Sequence, residues 1–322
     1  MRLKETVKVG AASTRLAGHT DFVTALVVLP AIDGPDWQVA SASRDKTIRL
    51  WDPRTGDETG RLAGHTGAAY ALAVIPADDG NGWRLVSAAF EEIRLWDPRT
   101  GAETGRLEHH PDGDDAFAVI PAVDGNGWRL ASASLGEIRL WDVKTASITD
   151  HFEGGSPLLV LPDGRLASGC MLGPMQVRDL RTGRTIEIGE NLELDHRCEP
   201  IMIGHTAEVT AIAVLPGSDG QPWRLASASL DTTIQLWNPE TGARTGLLDG
   251  HTEGVNALVV LPDERLASGS GDRTIRLWEP KTGQEIARLD VDAGVTCLAA
   301  LPDGRLVAGD EKGKLHWIET VG

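Results

Sequence analysis

The stretch SASRDKTIRLWDPRTG, residues 41–56, decides the fold, because the chain keeps returning to it. It recurs as SAAFEEIRLWDPRTG (87–101), SASLGEIRLWDVKTA (132–146), SASLDTTIQLWNPETG (227–242) and SGSGDRTIRLWEPKTG (268–283). Two weaker copies, SGCMLGPMQVRDLRTG (168–183) and AGDEKGKLHWIET (308–320), complete the series. The anchor position is Trp51, Trp96, Trp141, Arg178, Trp237, Trp278 and Trp317, at intervals of 45, 45, 37, 59, 41 and 39 residues. A fixed period of this size marks a repeat architecture in which each unit buries its apolar face only against its neighbours.

Two further elements travel with each anchor. A Gly-His dipeptide precedes four copies: LAGHT at 16–20 and 62–66, IGHT at 203–206 and DGHT at 249–252. His110 and His151 fall at the same offset by ungapped alignment, and the last copy has Val291 there. An apolar run ending in Pro follows, as in ALVVLP, ALAVIP and AFAVIP. Each copy therefore reads as four short strands: VTALVVLP (a), WQVASAS (b), KTIRLWD (c) and ETGRLAG (d). Alternating or apolar runs bounded by turn residues give that reading. The PRTG and PETG stretches between c and d have turn chemistry.

The chain resembles the WD-repeat (WD40) family on its Gly-His, LWD and turn-Asp spacing. The resemblance implies four-stranded antiparallel blades closing into one β-propeller. Seven copies imply seven blades. At about 150 residues per domain, 322 residues would suggest two domains. The repeat implies one domain over 1–322, with approximate repeats 18–63, 64–108, 109–149, 150–203, 204–249, 250–289 and 290–322. The last copy stops after strand c, while STRLAGH (13–19) matches the register of strand d in TGRLAGH (59–65). The N-terminus is therefore expected to supply the outer strand of blade seven and close the ring.

The resemblance also assigns a hydrogen-bonded tetrad within each blade. Three copies match it fully: His19, Ser41, Asp45 and Trp51; His205, Ser227, Asp231 and Trp237; and His251, Ser268, Asp272 and Trp278. A recurring Ser, His and Asp could suggest a hydrolase triad, but between buried strands they read as structure. Copies two and three are one residue shorter before the anchor, so the tetrad Asp is expected to be absent there. Copy four has Arg178 for Trp, and copy seven has Glu311 six residues before Trp317. Blades two, three, four and seven are expected to be less rigid, with four the weakest.

Composition supports a globular chain. Hydrophobic residues are 41% and charged residues 24%, and no run is long enough to span a membrane. There are 10 Trp against 4 Phe and 1 Tyr, an inverted ratio that the repeat explains. Six Trp mark strand c; Trp37, Trp83, Trp128 and Trp223 end the long a–b loops of copies one, two, three and five. These four read as plugs folding each loop over its blade. The net charge of −16 and the absence of a basic run argue against nucleic acid. Three scattered cysteines and no apolar leader fit a reducing, cytoplasmic setting. No cofactor or metal pattern is present, and the expected state is a monomer. The Arg-rich, Lys-poor composition resembles bacterial members of the family.

In the family, partners use side chains on one face of the ring, the top, formed by d–a and b–c loops. The resemblance places there Phe22, Thr24 and Arg44 (blade one), Ala68, Tyr70 and Phe90 (two), Asp115 and Leu135 (three) and Ser156 (four). Blade five contributes Glu208, Thr210 and Leu230, and blade six Asn256. Phe22, Arg44, Tyr70 and Phe90 would form a patch on adjacent blades with the composition of an interface hot spot. The expected function is a non-catalytic scaffold for a protein or peptide. An enzyme at the channel mouth and a module of a larger signalling system are the alternatives. One insertion, near 187–199, lengthens the d–a connection between blades four and five.

Overall fold

The computed structural model describes residues 13–15, 18–31, 37–77, 82–90, 92–107, 116–121, 127–134, 136–169, 174–189, 192–194, 200–202, 204–217 and 222–320. Among them there is no helix. Seven four-stranded antiparallel sheets form the blades of a propeller. Blade one runs Val23–Leu29 (a), Gln38–Ser43 (b), Thr47–Trp51 (c) and Glu58–Ala63 (d). The inner strands of blades two to seven are Ala69–Pro76, Ala116–Ile120, Gly155–Val160, Val209–Leu215, Val255–Val260 and Val295–Ala300. Blade seven takes its outer strand from the N-terminus: Ser13, Thr14 and Arg15 pair with Trp317, His316 and Leu315. The sheet edge that a linear array would leave open is thereby covered.

The core lies between blades, as expected of units that cannot bury their faces alone. Blade five's Ala226, Leu236 and Leu248 pack against Val255, Leu266 and Trp278 of blade six. At the closure, Val23, Val39 and Trp51 pack against Cys297, Val307 and Trp317. Strands b and c are buried almost throughout, while strand d alternates or is exposed.

Two sets of hydrogen bonds tie blades together beyond this packing. On the inner strands a bulge sets one residue out of the ladder at Thr24, Tyr70, Thr210, Asn256 and Thr296. Thr24 donates to the Ala69 carbonyl (2.6 Å), Asn256 to Val295 (2.8 Å) and Thr296 to Val23 (2.5 Å). Thr210 donates likewise to Val255. This belt runs from blade five through the closure to blade two, where Tyr70 takes the position. On the opposite face, the Arg that opens strand b reaches the c–d turn of the next blade. Arg224 donates to Pro280 O (3.0 Å), Arg305 to Pro53 O (2.8 Å) and Arg165 to Pro239 O (3.4 Å). Arg265 reaches the Thr320 carbonyl just past strand c of blade seven (3.3 Å).

Blade seven departs from the sequence alignment. Leu306 pairs with Ile318 and Val307 with Trp317, whereas Val39 pairs with Trp51. Ile318, not Trp317, therefore holds the anchor position. The copies at 87 and 132 are equally short, yet there the turn absorbs the missing residue and the Trp stays in register. Their Ser87 and Ser132 hold the indole N–H at 2.8 Å. Blade seven has Ala308 at that place, so nothing fixes a Trp.

Candidate functional site

In the three blades expected to carry a full tetrad the side chains meet. Trp51 Nε1 donates to Ser41 Oγ at 2.8 Å. Ser41 Oγ is also 2.7 Å from His19 Nε2. An oxygen already accepting from an indole turns its own proton to the imidazole, which leaves His19 Nδ1–H to donate to Asp45 at 2.9 Å. Blade five repeats this. Ser227 Oγ accepts from Trp237 Nε1 at 2.8 Å and lies 2.7 Å from His205 Nε2, and His205 Nδ1 is 2.8 Å from Asp231. In blade six Ser268 Oγ accepts from Trp278 Nε1 at 2.8 Å and lies 2.7 Å from His251 Nε2. His251 Nδ1 is 2.8 Å from Asp272.

Burial decides what these residues can do. Ser41, Ser227 and Ser268 are each 0% exposed and bonded at both ends. Of the sequence-derived site residues, Ser41, Ser227 and Ser268 are therefore closed to any ligand, and none is a nucleophile poised for substrate. His19 and His251 are buried with them, as are Trp51, Trp237 and Trp278. The tetrads hold the blades and are no part of a binding surface.

The electrostatics follow from this geometry. Burial pushes His19 and His251 below the ordinary 6.5 and keeps them neutral, against the pull of Asp45 and Asp272. Burial would raise the Asp45 carboxyl, but Thr47, His19 and the Thr20 N–H outweigh it and hold the pKa at about 2. Asp272, bonded by Thr274, His251 and the Thr252 N–H, is held at about 2 against the same burial.

Blade two has no Asp at the tetrad position, and a Glu that the sequence reading did not assign takes the role. Glu92, the first residue of strand c, reaches across the shortened turn. Its carboxylate accepts from His65 Nδ1 (2.9 Å), the Thr66 N–H (2.8 Å) and Arg94 (2.7 Å). The extra methylene makes up for the missing turn residue, and His65 bonds Ser87 at 2.6 Å as in a full tetrad. Burial opposes the Glu92 charge, yet these donors hold its pKa at about 2. In blade three Trp141 keeps its bond to Ser132, and His110 lies outside the described residues. His151 is not at a Gly-His corner. It sits in strand d of blade three, Ser147–Glu153, opposite Arg139. Arg178 replaces the blade-four Trp and stacks its guanidinium 4.3 Å over Phe152. Blade seven buries a different pair, His316 Nε2 with Asp310 at 2.9 Å.

The sequence also left unread a second polar layer. In blades one, two and six the Arg of IRLW is buried and pairs with a Glu at the start of strand d: Arg49–Glu58, Arg94–Glu103 and Arg276–Glu285, each at 2.7 Å. Its signal was the recurrence of Arg two residues before Trp, spaced nine residues from Glu. Blade five has Gln235 and Arg244 at these positions, which removes the pair.

On the top face, Arg44 is exposed and its guanidinium lies 4.4 Å over the Phe22 ring. The Arg44 N–H donates to the Phe22 carbonyl, tying the b–c turn to the d–a loop, and Leu230 N–H does the same to Glu208. Tyr70 is 36% exposed, Phe90 52% and Leu230 47%. Thr24, Thr210 and Asn256 spend a donor on the inter-blade belt. Ser156 is half-buried at the start of blade four. Asp115 and Leu135 lie outside the described residues. Of the loop tryptophans, Trp37 and Trp223 pack onto inter-blade clusters. Trp83 opens strand b opposite Pro76, and Trp128 is exposed.

The insertion is a hairpin, Leu192–Leu194 paired with Pro200–Met202. Residues 195–199 lie outside the described residues. The boundaries differ from the sequence estimate. Gly189 has φ +94° and a side chain there would meet Trp237 and the Gly204 backbone. Gly18 and Gly250 stand in the same relation to Trp51 and Trp278. The repeat frame thus breaks off after Gly189 and resumes at Gly204.

A model of the WD domain, G-beta repeat, matches residues 10–52 and 197–238. A model of the TEP-1 C-terminal beta-propeller matches 251–320. These segments contain the three Asp-based tetrads. Coatomer subunit beta' of Rattus norvegicus, Bos taurus and Homo sapiens is 38% identical over 61 residues. That is 19% of this chain and 6% of each relative's length. Blades, repeats and matches together support a WD-repeat β-propeller.

Proposed function

We propose that this propeller is a non-catalytic scaffold that grips a protein or peptide segment on its top face. The observation that carries the reading is the stacked Phe22–Arg44 pair of blade one, with Tyr70 and Phe90 exposed on blade two. Phe22 and Arg44 are already stacked, so Arg44 is held in place before a partner arrives. Tyr70 and Phe90 expose aromatic surface on blade two, which the Thr24–Ala69 bond ties to blade one. Preorganised aromatic and Arg side chains lose little entropy on binding and dominate interface energies. The buried, doubly bonded Ser41, Ser227 and Ser268 support a role without catalysis. WD40 propellers typically act in protein interaction, which agrees with this reading. A cytoplasmic site of action fits the free, buried thiol of Cys297.

The test is capture of partners from cells with the wild-type chain and with Arg44→Ala/Tyr70→Ala. A specific partner kept by the wild type and lost by the double variant supports the reading. A partner held equally by both refutes it.

A further inference from the structure

The seams between blades are not tied alike. At four of them the anchor Trp wedges against the Gly that follows the outer strand of the preceding blade. A Cβ on Gly18, Gly64, Gly189 or Gly250 would stand 2.9–3.3 Å from the ring edge of Trp51, Trp96, Trp237 or Trp278. These are seams seven–one, one–two, four–five and five–six. On the lower face Arg165, Arg224, Arg265 and Arg305 bond blades four to five, five to six, six to seven and seven to one. The belt of Thr24, Thr210, Asn256 and Thr296 adds a bond at seams one–two, five–six, six–seven and seven–one. Seam two–three keeps a buried anchor, Trp141, bonded to Ser132.

The seam between blades three and four has none of these ties among the described residues. Its anchor is Arg178, and a Cβ on Gly154 would meet Ile138 and Ser168 Oγ rather than an indole. The Arg129 side chain, at the start of strand b in blade three, makes no hydrogen bond or ion pair with the described residues. The belt position of blade three is Asp115, outside them. What holds this seam is packing. Ala131, Ile138 and Leu140 of blade three form one cluster with Leu158 and Leu166 of blade four. The Arg178 guanidinium stacks over Phe152.

We propose that the ring opens reversibly at the seam between blades three and four, which makes this seam the joint at which the propeller changes circumference. A seam without directional bonds parts at a lower free energy than one whose bonds must break together with the packing. Seams five–six, six–seven, seven–one and one–two each carry at least one inter-blade hydrogen bond, so blades five through two move as one latched arc. Phe22, Arg44, Tyr70 and Phe90 lie on that arc, and opening leaves their spacing unchanged.

Ala131, Ala167 and Ala226 hold the same strand-b position in blades three, four and five, opposite Leu140, Val177 and Leu236. Each is 0% exposed and belongs to the cluster shared with the next blade. In the full chain with Cys170, Cys198 and Cys297 changed to alanine, Ala131→Cys, Ala167→Cys and Ala226→Cys are made singly. Their modification by a thiol reagent is timed under native conditions, and a melting curve of each variant reports a folded ring. The expected result is modification at 131 at least about tenfold faster than at 167 or 226, the factor that roughly one inter-blade hydrogen bond is worth. Its urea dependence should fall well below that of global unfolding. Adding Phe152→Ala should speed modification at 131 and leave 167 and 226 unchanged. Equal rates at all three positions would show that only global unfolding exposes them. Equally fast rates at 131 and 167 would show that blade four unfolds as a unit. Either result, or an equal acceleration by Phe152→Ala at all three, would overturn the proposal.

Discussion

Replacing Glu92 by Asp in blade two keeps the charge and removes only reach. The carboxylate retreats by one carbon–carbon bond, about 1.5 Å. The 2.9 Å contact with His65 Nδ1 then lengthens beyond any hydrogen bond. The His65 side chain is 0% exposed, so its donor finds no water. Leaving one such group unpaired costs about 1–3 kcal/mol. Arg94 keeps Glu103, and the exposed Thr66 N–H turns to solvent, so little is added there. The expected loss is about 2–3 kcal/mol. Glu92→Gln keeps the reach and an accepting oxygen, and should cost about 1 kcal/mol. With about 2.1 cal/mol/K per residue, the 322-residue chain has an unfolding entropy near 0.7 kcal/mol/K. Glu92→Asp should therefore lower the melting temperature by about 3–4 °C and shift the urea midpoint in the same order. Equal stability for Glu92→Asp and wild type, or a larger loss for Glu92→Gln, would refute the compensation argument.

Acid should act in two stages. His19, His65 and His251 have folded pKa values below 6.5, so as pH falls through 6.5 the unfolded chain takes up protons first and stability drops. Asp45, Glu92 and Asp272 are held at about 2 from ordinary values of 3.8 to 4.5. Their stabilisation is full above that range and is lost as pH falls toward about 2. Melting temperature against pH checks this, and a rise between pH 7 and 5 would contradict it. Deleting residues 1–17 removes three paired positions and exposes the Leu315–Ile318 edge. At about 1 kcal/mol per lost hydrogen bond the melt should fall by several degrees, with concentration-dependent association in sedimentation. An unchanged, monomeric truncation would contradict closure by this strand.

The blades were legible because Gly-His, Ser, Asp and Trp carry both the spacing and the hydrogen bonds that enforce it. The tetrads at His19, His205 and His251 were legible through the family resemblance that this pattern carries. Compensation was not legible. Glu92 does the work of an Asp from another residue position, and only side-chain length shows that it can. Trp317 misled for the converse reason. Identity suggested an anchor, but without the tetrad Ser and His the strand settles one residue over, where His316 bonds Asp310 instead. The belt of Thr24, Thr210, Asn256 and Thr296 was invisible because its acceptors are backbone carbonyls of the next blade. Thr24, Thr210 and Asn256 were read as binding surface, and their donors turn inward to the ring. The top-face candidates came only through the resemblance; the stacking of Arg44 on Phe22 came from the structure.

The central claim is that partners dock on the blade-one and blade-two side of the top face. A photoreactive benzoylphenylalanine at position 90 tests it most directly, with the same residue at 247 on the outer rim as the comparison. The account predicts a partner crosslinked from position 90 and none from 247. Crosslinking from 247 with position 90 silent would contradict it.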